Sequence, residues 1–207
     1  MKKILLLGPI LFTVVVTALT ILQYDFLRGL GWHPIHDPTF DWPSGLALGP
    51  YGIIMTLTFI ISGCLIALLA LRLYLNLSTS SSQRLQPATV SKAGSILLAF
   101  AGIAMACLSF TTDPTIRDTP ATWHGQLHDL SFVLLGLSLM PSMLMLGKAF
   151  RNDPRWNHLS LYTWLTAALA LPTFFLKGAA FYVFLFAILV WVEVVAIRLH
   201  AICNEKK

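Results

Sequence analysis

The sequence predicts an all-α polytopic membrane protein, a single bundle of six transmembrane helices with both termini in the cytoplasm. Three observations lead there. Hydrophobic residues fill 57% of 207 positions and charged residues 11%, with a mean hydropathy of +0.75. A soluble domain carries about 25% charged residues, and this composition in water would expose large apolar patches. Apolar runs of about 20 residues, the length that crosses ~30 Å of hydrocarbon, recur along the chain. Finally, the charges are segregated between the two sets of loops.

The first run, 4–22, follows Lys2 and Lys3. It is long for the core of a signal peptide and no small-x-small cleavage site follows, so it is expected to stay as the first span. The others are expected near 50–75, 91–112, 125–148, 158–176 and 179–202, and the length suits one domain over 1–207. Pro141 and Pro172 fall inside the fourth and fifth of the six runs. They should kink their helices, with Ser138 and Ser142 near the freed carbonyl of the fourth. Gly63, Gly94 and Gly102 should let helices approach closely.

Of the 14 Lys and Arg residues, eleven fall on one side of this arrangement: Lys2, Lys3, Arg72, Arg84, Lys92, Lys148, Arg151, Arg155, Arg198, Lys206 and Lys207. The other three, Arg28, Arg117 and Lys177, fall on the opposite side. Basic residues mark cytoplasmic loops, so the net charge of +5 reports topology and does not point to nucleic acid. The same assignment turns Asp25, Asp37, Asp41, Asp113, Asp118 and Asp129 outward with His33, His36, His124 and His128. The first outer loop, 23–49, holds Trp32, Pro34, Pro38, Trp42 and Pro43 before a Gly-rich run, and is expected to form an ordered cap with a short interfacial helix.

Two loop segments resemble a family of small bacterial membrane proteins known as domain of unknown function 998. They are Asp41-Trp-Pro-Ser-Gly-Leu-Ala-Leu-Gly-Pro-Tyr-Gly52, and Thr112-Asp-Pro-Thr together with Thr122-Trp-His-Gly-Gln-Leu-His-Asp129. The likeness extends over most of the chain. It implies an inner-membrane location and an outward-facing pair of Asp/His motifs, and it brings no established activity.

Chemistry is therefore sought in the residues. His124 and His128 are spaced i, i+4, which sets both rings on one face of a helix beginning near Trp123. Such a pair can share a divalent metal such as zinc, with Asp113 as third ligand and Asp129 as a supporting partner. A metal-bound water would then attack an ester, amide or phosphoester of a lipid or other membrane-borne substrate. The same catalytic set, Asp113, His124, His128 and Asp129, could work by acid–base chemistry without metal, supported by Asp37 or Asp41. The Glu of a His-Glu-x-x-His motif is absent, with Gly125 in its place.

A structural reading stands beside these. Thr122 can N-cap the helix and Asp113, before Pro114, can cap a turn. A third reading rests on Glu193, about 21 Å into the last span at ~1.5 Å per residue. An intramembrane carboxylate marks a binder or transporter unless it is protonated, or a hydroxyl or an Arg such as Arg72 satisfies it. A fourth is an accessory subunit of a membrane complex. Gly-x-x-x-x-Gly-Lys does not occur, and histidines on one helix face cannot grip opposite sides of a haem. Oligomeric state is left open.

Overall fold

The computed structural model describes residues 4–32, 43–80, 88–114, 121–175 and 179–205, with helices and no strand among them. A 3₁₀ turn at Ile4–Leu6 leads into α1 (Leu7–Leu22), followed by the short α2 (Tyr24–Gly29). A second 3₁₀ turn, Ser44–Leu48, precedes α3 (Gly52–Ser80). Then come α4 (Ala88–Cys107), α5 (Trp123–Asn152), α6 (His158–Phe175) and α7 (Ala179–Asn204).

Neighbours in sequence are neighbours in space. α3 packs on α4, α4 on α5, α5 on α6 and α6 on α7; α1 lies mainly against α3 and touches α7 more lightly. The α3–α4 seam is the closest. A Cβ on Gly102 would stand 2.6 Å from Ala67 N and 2.8 Å from Gly63 O, so the two backbones meet where neither carries a side chain. In lipid, where no hydrophobic drive separates helices from solvent, such packing and interhelical hydrogen bonds hold a bundle together. Ser142 donates to Gly94 O (2.8 Å), Ser160 to Gly147 O (2.8 Å) and the Trp191 indole to Thr163 (3.1 Å). The glycine packing read from the sequence is present; the service expected of the serines is not. Ser138 bonds Leu134 O and Ser142 crosses to α4, so neither reaches the carbonyl of Leu137 that Pro141 frees.

Among the described residues five segments are long and apolar enough to cross a membrane: Ile4–Leu22, Gly52–Leu77, Thr89–Cys107, Trp123–Asn152 and Ala180–Asn204. The chain is a multi-pass membrane protein. α6, the fifth of the six expected spans, is not among them. Its first turns carry Ser160, Thr163 and Thr166, all buried, and the first two spend their hydroxyls on α5 and α7. Polarity that lowers the apolar average is here used inside the bundle.

At one end, Gln23 ties together both sides of the loop expected to form a cap. It is buried, donates to Leu46 O (3.1 Å) and accepts from Tyr51 N (3.1 Å). Leu27, Trp32 and Leu46 are buried beside it. Residues 33–42, with His33, His36, Asp37 and Asp41, lie outside the described residues, as do Arg117, Asp118 and Lys177. At the opposite end, Asp153 is buried in a fork with Arg155 (Nε to Oδ1 3.0 Å, Nη2 to Oδ2 2.6 Å). That bond holds the Arg155 guanidinium above its ordinary pKa. Arg198 donates to Arg155 O (2.8 Å), which fastens α7 to the α5–α6 turn.

Candidate functional site

The polar cluster forms where α4 ends and α5 begins. A helix end leaves carbonyls or amides without partners, and in a bilayer each unpaired group is costly. Here each helix end is completed by side chains from across the junction. Past Cys107 the chain exposes the carbonyls of Leu108, Phe110 and Thr111. His128 Nδ1 lies 3.1 Å from Leu108 O and 2.8 Å from Phe110 O, and His124 Nδ1 lies 2.9 Å from Thr111 O. Carbonyls only accept, so Nδ1 carries the proton in both rings. The i, i+4 spacing does place both imidazoles on one face, and that face meets the end of α4.

At the start of α5, Thr122 is the N-cap, its hydroxyl accepting from Gly125 N (3.1 Å). Asp113 completes this end. Its Oδ2 accepts the Thr122 N–H (2.8 Å) and its Oδ1 the Thr122 hydroxyl (2.6 Å). A carboxylate at a helix N-terminus is also favoured by the helix dipole. Gly125 explains itself at the same point: a Cβ there would run into the Asp113 carboxylate. The position that would hold Glu in a His-Glu-x-x-His helix is Gly because Asp113 lies against it.

Asp113 and His124 are thus brought together through Thr122, whose Oγ1 is 3.0 Å from His124 Nδ1. His128 lies one turn deeper, buried, with its ring edge-on to Phe59 at 6.5 Å. With Nδ1 protonated, its Nε2 accepts from Ser44 Oγ at 3.0 Å, so the ring also joins the cap segment to α5. Asp129 is exposed and bonds neither ring among the described residues, so it does not play the supporting part expected of it. The expected metal set of His124, His128 and Asp113 does not converge. Among the described residues no group of three or more His, Cys, Asp and Glu is placed to hold a metal ion. Thr122 engages both oxygens of Asp113, and the ring nitrogens nearest it face carbonyls.

The second polar position is Glu193. It lines a groove of about 490 Å³ between α1 and α7, walled by Phe12, Val16, Leu185 and Leu189 and rimmed by lipid-facing Ile10, Val14 and Phe186. Its Oε2 is buried and has no hydrogen-bond partner among the described residues; Arg72 does not reach it. The sequence reading singled out Glu193 but not the groove, which needs α1 and α7 side by side. It also missed Gln23 and Asp153, polar groups whose burial only packing creates.

No curated protein and no solved structure matches the chain. The family described as protein of unknown function DUF998 matches residues 7–198, a stretch that holds the α4–α5 junction, Gln23 and Glu193, and the chain belongs to that family.

Proposed function

We propose that this protein binds an amphiphile taken sideways from the bilayer into the groove between α1 and α7. The groove itself carries the reading. Ligand pockets are mostly apolar clefts of roughly 300–1,000 Å³ with a few polar groups that orient the guest, and this one pairs apolar walls with one carboxyl. In this reading α6 is the sixth span, its 18 residues reaching about 27 Å at 1.5 Å per residue. Six spans put both termini on one side, and the distribution of Lys and Arg makes that side cytoplasmic, in the inner membrane of a bacterium. Thr13 faces the groove, so Thr13→Trp should fill it without disturbing the core. Native mass spectrometry of protein extracted in mild detergent should then find retained lipid reduced by about tenfold, the loss of roughly 1.4 kcal/mol of binding. Equal retention in Thr13→Trp and wild type would sink the groove as a binding site.

A second reading keeps the α4–α5 junction as a hydrolytic site acting on a lipid or other membrane-borne ester. One observation favours it: with Nδ1 protonated towards Thr111 O, His124 Nε2 holds a lone pair and has no partner among the described residues. A half-buried imidazole in that tautomer can serve as general base. In that case His124→Gln should abolish ester hydrolysis in proteoliposomes while leaving thermal stability nearly unchanged. Hydrolysis that survives the substitution removes this reading.

A further inference from the structure

We infer that the occupant of the α1–α7 groove carries a protonated amine head group, held by Glu193; the inference rests on the groove reading above. The groove is lined by a single carboxylic acid and by no Lys, Arg or His. Thr13, another polar group of the lining, spends its hydroxyl on Pro9 O at 2.8 Å. Tyr182, at the far end, is engaged by Trp32. The cation that follows Glu193 along α7 is Arg198, and it is committed elsewhere: Nε to Arg155 O at 2.8 Å, and Nη1 to Glu205 at 3.8 Å. So no described Lys or Arg neutralises Glu193, while its buried Oε2 lacks even a neutral donor.

A carboxylate at this depth is tolerated when a partner of opposite charge donates to it. The described residues do not supply that partner, and the guest can. An ammonium donates charge-assisted hydrogen bonds to a carboxylate; a hydroxyl donates one without neutralising it; a carboxylate head is repelled. Shape agrees with charge. From Tyr182 to Glu193 the lining extends about 16 Å along α7 at 1.5 Å per residue, over a floor of buried Phe12 and Val16. An alkyl chain lying along this floor sets its head at Glu193, near Pro9 at the start of α1, and its tail towards Tyr182. The open rim of Ile10, Val14 and Phe186 lets it arrive from the lipid.

The test uses the full chain in nanodiscs of zwitterionic lipid at neutral pH. The probes are doxyl-labelled stearylamine, stearyl alcohol and stearic acid, and the readout is the motionally restricted fraction in the electron spin resonance spectrum. In wild type the amine should associate about tenfold more strongly than the alcohol, as expected for one charge-assisted contact away from water, with the acid weakest. Glu193→Gln should bring amine and alcohol to within about twofold of each other. Amine and alcohol binding equally to wild type would overturn the head-group assignment while leaving the groove as a site. If Glu193→Gln keeps the full preference for amine, the assignment to Glu193 is wrong. If no probe shows a restricted fraction that Thr13→Trp removes, the groove reading itself fails. Wild-type selectivity is informative even if Glu193→Gln fails to fold.

Discussion

Gly125→Ala should destabilise the protein by about 2 kcal/mol or more, towards the upper part of the range for overpacking. The added methyl points at the Asp113 carboxylate, which cannot retreat without giving up the Thr122 N–H and hydroxyl it accepts. Asp113→Ala alone should cost about 3 kcal/mol, because hydrogen bonds to a charged acceptor are worth roughly 1.5–3 kcal/mol each and a helix N-terminus loses its partner. The informative variant is the pair. Once Asp113 is Ala, the methyl at 125 no longer meets the carboxylate, so the double variant should be at least about 1 kcal/mol better than the two single costs added together. Unfolding in mixed detergent micelles measures all three. Strict additivity would mean that the Gly125–Asp113 approach is not what makes a side chain at 125 costly.

His128 should be the most sensitive ring. His128→Ala is expected to cost about 3 kcal/mol, combining the cavity left by a buried side chain with the loss of its hydrogen bonds. His128→Phe separates these contributions. It refills the volume and keeps the edge contact with Phe59, yet leaves the carbonyls of Leu108 and Phe110 and the hydroxyl of Ser44 without the ring. A residual cost of about 2 kcal/mol should remain. Full recovery by Phe would show that the ring is there for bulk. Activity lost at unchanged stability would instead return His128 to a chemical role.

These expectations follow from a change in what the histidines are for. Spacing alone places Thr122 at the N-cap, His124 and His128 one turn apart on one face, and Asp113 near the same helix start. Helix periodicity and capping chemistry are local, so spacing alone reveals them. What spacing could not show is where α4 stops. The carbonyls just past its end lie opposite the two rings, and that juxtaposition makes the pair donors to the chain leaving the helix. Asp129 is the counterpart. Adjacent in sequence to His128, it is turned away by the 100° step of the helix, and no described residue is bonded to its carboxylate.

Composition, the recurrence of apolar runs and the segregation of charge determined that this is a helical protein of the membrane. They could do so because crossing hydrocarbon demands length and apolarity from every span, whatever its neighbours are. The loop motifs determined the family in the same local way. The tertiary structure alone decided which polar groups find partners. Gly125 proved to be a contact position, Gln23 a buried brace between two strands of loop, and Asp153 the closure of a turn. Glu193 proved to be a carboxyl beside a groove that no described Lys or Arg lines. Pairing of a buried polar group depends on residues far away in the chain, and only the packing of helices brings those within reach.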